Sequence, residues 1–109
     1  MRLQLTTLFL IGVLACSSQA HGQIDDSFVE RAGCVQCHGA ANQGTGPSFD
    51  EIAQRYEGSD SDRAQMRETV LNGGSGNWSK VTGGKAMPPY SNLLSAEEVD
   101  ALIDWVLAR

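Results

Sequence analysis

Cys34-Val35-Gln36-Cys37-His38 is the stretch of this chain whose residue types and spacing can do chemistry. Two thiols three positions apart can add to the two vinyl groups of a haem, and the histidine that follows can present an imidazole to the iron. Taken alone, the pentapeptide is also compatible with a dithiol redox pair, with part of a zinc site, or with chance. Zinc would need a second Cys/His pair at ligand spacing, and Cys16 and His21 are badly placed to supply one. A thioredoxin-like pair belongs in a βαβ unit, and the chain has no strand alternation of useful length.

A second group able to meet a metal is the thioether of Met87. It stands before Pro88-Pro89, whose restricted backbone stiffens one side of a glycine-rich segment running from Gly73 to Pro89. Held there, the sulphur can reach the iron face opposite His38, completing a His/Met pair of the kind that raises reduction potential in electron-transfer haems. Met66 offers the same atom but lies on a helical apolar stripe, which reads as core. Two further residues have chemistry to offer. The carbonyl of Pro47 can accept the proton of the second ring nitrogen of His38 and so set its tautomer, and Trp78 can cover haem area and offer its indole N–H to a propionate.

These groups need elements to position them. Asp25, Asp26 and Ser27 are N-cap types, and Phe28, Val29 and Ala32 give a short first helix an apolar side before Gly33. Its task is to deliver the cysteines. Residues 39–47 are small and turn-forming and read as a loop. Ser48 and Glu51 have capping-box spacing, followed by Phe49, Ile52, Ala53 and Tyr56 on one helical face. A third helix is predicted from Asp62 to Leu71, stopped by Asn72-Gly73-Gly74. Residues 73–89 show no helical period, and such a long irregular stretch in a small domain is usually functional or disordered. The last helix is the clearest: Ser95 and Glu98 form a capping box, Leu94 and Val99 a hydrophobic staple, and Val99, Leu102, Ile103, Val106 and Leu107 a continuous stripe. The first helix is its expected partner, with Trp105 near Phe28.

The bulk numbers fit this plan. A chain of 109 residues is one small domain, whose thin core a large apolar cofactor would extend. A formal charge of −5 disfavours nucleic acid, which needs clustered Lys and Arg. Met1-Arg2, the uncharged run Leu3 to Ala15, itself too short to span a membrane, which takes about 20 apolar residues, and the small-x-small Ser18-Gln19-Ala20 read as a secretory signal peptide over 1–20. The mature domain is then 21–109. Val13-Leu14-Ala15-Cys16 also resembles the lipobox of bacterial lipoproteins, which would tether the chain through a Cys16 lipid. Either route exports the domain.

With those residues in view, the chain resembles the class I cytochromes c, in their short bacterial, periplasmic, monohaem branch. The likeness rests on Cys34-x-x-Cys37-His38-Gly39, Gly46-Pro47, Asn72-Gly73, Trp78, Met87-Pro88-Pro89 and a terminal helix ending Trp105-Val106-Leu107. It implies an all-α fold of about four helices wrapped around one covalently attached haem c. Cys34 and Cys37 would then be the thioether attachments and His38 and Met87 the axial ligands, with Pro47 the carbonyl partner of His38 and Trp78 near a propionate. Two departures stand out: the Trp78 to Met87 interval is longer than usual for the branch, and Tyr90 stands where many relatives place an asparagine.

The function expected on this basis is one-electron transfer between respiratory redox partners in the periplasm, by a monomer that meets its donor and acceptor transiently and performs no catalysis. Two alternatives stay open from the sequence. One is a subunit held permanently in a dehydrogenase or oxidase complex; the other is a haem enzyme or sensor with an open sixth site.

Overall fold

The computed structural model describes residues 23–39 and 45–109. The expected signal peptide, the Cys16 lipobox and the cut after Ala20 lie outside the described residues. Six helices occur among the described residues: α1 (Asp26–Arg31), α2 (Val35–His38), α3 (Phe49–Arg55), α4 (Asp60–Asn72), α5 (Ser79–Thr82) and α6 (Ala96–Leu107). The fold is all-α, as expected. Beyond the four anticipated helices, α2 and α5 are single turns, too short to announce themselves by period.

Local signals explain most boundaries. Asp25 caps α1 by accepting the Phe28 N–H at 2.8 Å, and Ser48 and Ser95 form the anticipated capping boxes with Glu51 and Glu98. Helix α4 starts at Asp60, two residues before the expected position, because Ser59 makes a capping box with Asp62. The shorter aspartate there does the work that the motif usually gives to glutamate or glutamine.

Helix α6 is the spine. Val99, Leu102, Ile103 and Val106 are its buried residues, and its main helical partners are α4 and α3 rather than α1. The α4 side is flanked by two ion pairs, Arg63 with Asp104 and Arg67 with Asp100. All four side chains are well exposed, so each pair contributes no more than about 1 kcal/mol. Trp105 also departs from expectation. Its aromatic partner is Phe49 on α3, met edge-on at 5.1 Å, rather than Phe28. Phe28 packs elsewhere against the same core, and Val29 beside it is fully buried.

The glycine-rich segment is closed at its base. Gly74 and Met87 form an antiparallel bridge, and downstream the Tyr90 and Ser91 N–H groups donate to the Val70 and Leu71 carbonyls at the end of α4. Residues 75–86 therefore form a loop whose two ends are held together, with α5 inside it.

Candidate functional site

Helices α3, α4 and α6, the α2 turn and the closed loop surround one open cleft. Cys34, Cys37, His38, Pro47, Trp78 and Met87 all line it. The structure thus brings together the six residues expected at the haem, across more than fifty positions of chain. Phe49, Ile52, Tyr56, Met66, Leu102 and Ile103 supply much of the wall.

Cys34 caps α2 and Cys37 lies within it, a separation that sets both sulphurs on one side of a helical turn. Neither is in a disulfide. Cys34 is buried, and burial pushes its thiol above the ordinary range, an effect opposed by its own backbone and reinforced by Cys37.

His38 is fixed from two sides. Its Nδ1 lies 2.6 Å from the Pro47 carbonyl oxygen, and a carbonyl can only accept, so Nδ1 carries the proton and Nε2 keeps a free lone pair. Burial lowers the imidazole's pKa from its ordinary 6.5, the carbonyl bond opposing that shift, so the ring is neutral at neutral pH. Its other neighbour is Phe49, whose ring centroid lies 5.5 Å away. Phe49 is itself held by the edge of Trp105, and the Arg109 guanidinium lies 4.7 Å from the Trp105 ring while its Nε donates to Asp50 at 3.2 Å. Gly46 keeps the approach open: a Cβ there would come within 3.1 Å of the His38 ring.

Across the cleft, Met87 is half-buried and held by its backbone to Gly74. Gly73, at φ +80°, makes this possible, since a Cβ there would meet the Met87 carbonyl oxygen at 2.6 Å. Trp78 is half-buried, met edge-on by Tyr56 at 6.3 Å and covered by the Arg55 guanidinium at 4.6 Å. Tyr90 also lines the cleft. Burial, with Cys34 and Cys37 as lesser causes, raises its phenol pKa.

Among the cleft residues that sequence reasoning missed are Thr82 and Lys85, on the loop between Trp78 and Met87. In a run of glycines and small polar residues neither carries a distinguishing signal.

The donor set is two unpaired thiols on one turn, a neutral imidazole with a free Nε2, and a thioether, around an apolar cleft. These residues fit a haem attached through Cys34 and Cys37. They do not fit a zinc site, and no cluster of three or more His, Cys, Asp or Glu occurs among the described residues.

Known proteins resemble the chain over most of its length. The cytochrome c family model matches residues 27–109. Cytochrome c-551 of Pseudomonas aeruginosa is 28% identical over 105 residues, covering 96% of this chain and 94% of that protein. Cytochrome c2 of Rubrivivax gelatinosus is 35% identical over 77 residues, covering 71% and 87% respectively. Among solved structures, Nitrosomonas europaea cytochrome c552 superposes with a TM-score of 0.61 at 29% identity, covering 77% of this chain and 98% of that one. With a family match over residues 27–109, the chain belongs to the cytochrome c family, as a one-electron carrier that works with redox partners and whose cofactor is covalently bound haem c.

Proposed function

We propose that Cys34 and Cys37 hold the haem as thioethers, that His38 Nε2 and Met87 are the axial ligands, and that residues 21–109 form the working domain. The observation that supports this reading is the 2.6 Å contact between His38 Nδ1 and the Pro47 oxygen, which leaves the lone pair of the other ring nitrogen available to a metal. Haem c supplies an Fe(III)/Fe(II) couple, tuned upward by a His/Met ligand pair. The chain does the rest by position. The Pro47 carbonyl would accept the Nδ1 hydrogen bond that orients the ring, Phe49 limits rotation of the imidazole, and the Gly74 bridge holds the Met87 segment in place. With both axial positions taken by side chains, no substrate need enter and no group on the chain need donate or accept a proton. Trp78, the tryptophan that lines the cleft, would offer its indole N–H to a propionate.

Electrons would leave through the edge of the cleft near Cys34, Val35 and the loop before Met87, Val35 being 40% exposed. A small, weak interface there suits a monomer that exchanges partners rapidly. A leader over 1–20, as the sequence suggests, would deliver the domain to the periplasm; no helix among the described residues is long and apolar enough to cross a membrane. Lipidation at Cys16 would tether the same domain.

The test is the ferric absorption spectrum and intact mass of the mature protein. A mass increment of one haem, a sulphur-to-iron charge-transfer band and no binding of carbon monoxide to the ferrous form are expected. Ready carbon monoxide binding without that band would overturn the ligand pair and favour an open sixth site.

A further inference from the structure

We propose that α5 and the turn after it form a seat for the carboxylate edge of the haem, with Thr82 Oγ1 donating a hydrogen bond to a propionate and Lys85 supplying the countercharge. The inference rests on the haem reading of the cleft and goes beyond it, because it assigns a role to the loop that separates Trp78 from Met87.

Thr82 is the first observation. Its hydroxyl is buried and has no hydrogen-bond partner among the described residues, while the side chain lines the cleft. Buried hydroxyls are nearly always paired, since leaving one unpaired forfeits its hydrogen bonds to water. Threonine in a helix can often turn its hydroxyl back to a carbonyl of the preceding turn, yet here the Trp78 oxygen takes the Thr82 backbone N–H and the hydroxyl is left over. The partner therefore comes from whatever fills the cleft. Most of a haem is apolar, and its two propionates are the substituents able to accept such a bond.

Lys85 is the second. The chain has only two lysines, at positions 80 and 85, against thirteen acidic residues. Each ion pair among the described residues uses an arginine, so Lys85 has no carboxylate partner there, although it lines the same cleft. A cation at the edge of an apolar cavity is best placed opposite an anion that the cavity's occupant brings. The backbone delivers it: Gly83 ends α5 in the left-handed region at φ +63°, and Gly84 follows at φ +82°. Two successive positive φ values reverse the chain within one turn, and Lys85 returns to the cleft that Thr82 already faces.

The test uses the haem-loaded protein and its Thr82→Val, Thr82→Ser and Lys85→Gln variants. Propionate bending bands in the resonance Raman spectrum and the reduction potential at one fixed pH are read together. Thr82→Val should shift the propionate bands and lower the potential, because an uncompensated carboxylate favours the ferric iron. Thr82→Ser should restore both, and Lys85→Gln, on an exposed side chain, should lower the potential independently. Unmoved propionate bands in both Thr82→Val and Lys85→Gln would overturn the proposal, as would a change in the sulphur-to-iron band alone, which would pair the hydroxyl with Met87 instead. A parent protein without attached haem would overturn the reading of the cleft itself, whereas a loaded parent with unmoved bands overturns only the role of α5.

Discussion

Gly74 and Met87 exchange two backbone hydrogen bonds, the Gly74 N–H donating to the Met87 oxygen at 3.0 Å and the Met87 N–H to the Gly74 oxygen at 2.9 Å. This one bridge turns a glycine-rich stretch into a closed loop. It fixes the backbone from which the thioether projects, and it makes the residue before it, Gly73, the tightest point of the loop.

Gly73→Ala should therefore damage the site without touching any proposed ligand. The position has φ +80°, and a Cβ would lie 2.6 Å from the Met87 oxygen. Backbone strain of this kind costs about 1–3 kcal/mol, and relief requires the bridge to open. The expected outcome is a lower thermal midpoint with a weakened sulphur-to-iron band, the haem remaining attached. A stable variant with an unchanged band would show that the bridge does not hold the ligand.

Met87→Ala should leave the haem attached, open the sixth site and lower the reduction potential. Intact mass, carbon monoxide binding and potentiometry report the three effects. An unchanged spectrum would identify another sixth ligand.

Phe49→Ala removes a ring that is 9% exposed and that touches both His38 and Trp105. Deletions of buried phenylalanine cost about 3–5 kcal/mol, and denaturant unfolding of the loaded protein should show a loss of that order. The terminal Arg109, stacked on Trp105, should lose its order at the same time.

Asp25 gives a prediction in pH. Its carboxylate is fully exposed, and its pKa lies below the ordinary 3.8, first because it accepts the Phe28 N–H at the α1 cap. A depressed folded pKa contributes stability that is present above 3.8 and lost as the pH falls through the lowered value. Asp25→Asn keeps a cap acceptor but cannot titrate. The parent should therefore be slightly more stable than the variant at neutral pH, and that difference should vanish on acidification below 3.8. A difference in thermal midpoint that is independent of pH would remove the charge from the explanation.

Much of the fold was legible locally. Caps such as Ser48 with Glu51 and Ser95 with Glu98 are readable because their partners lie three residues apart, and the α6 stripe is readable because burial repeats with the helical period. Where the sequence reading slipped, the interaction was long-range or too short to be periodic. Trp105 pairs with Phe49 because α6 lies against α3 and α4, which neither helix's own pattern reveals. The single turn of α5 has four residues and no side-chain cap.

By itself, the sequence determined the donor types and their order: two thiols, an imidazole, a proline carbonyl, an indole and a thioether, on a helical chain whose resemblance to class I cytochromes c named the cofactor. These follow from residue identity, which is local. Only the tertiary structure decided that His38 Nδ1 faces the Pro47 oxygen, that Met87 is held by Gly74, and that Thr82 faces the cleft with its hydroxyl unpaired. Each of these depends on a distance between atoms far apart in the chain or on removal from water, and neither exists until α3, α4 and α6 have closed around the cleft.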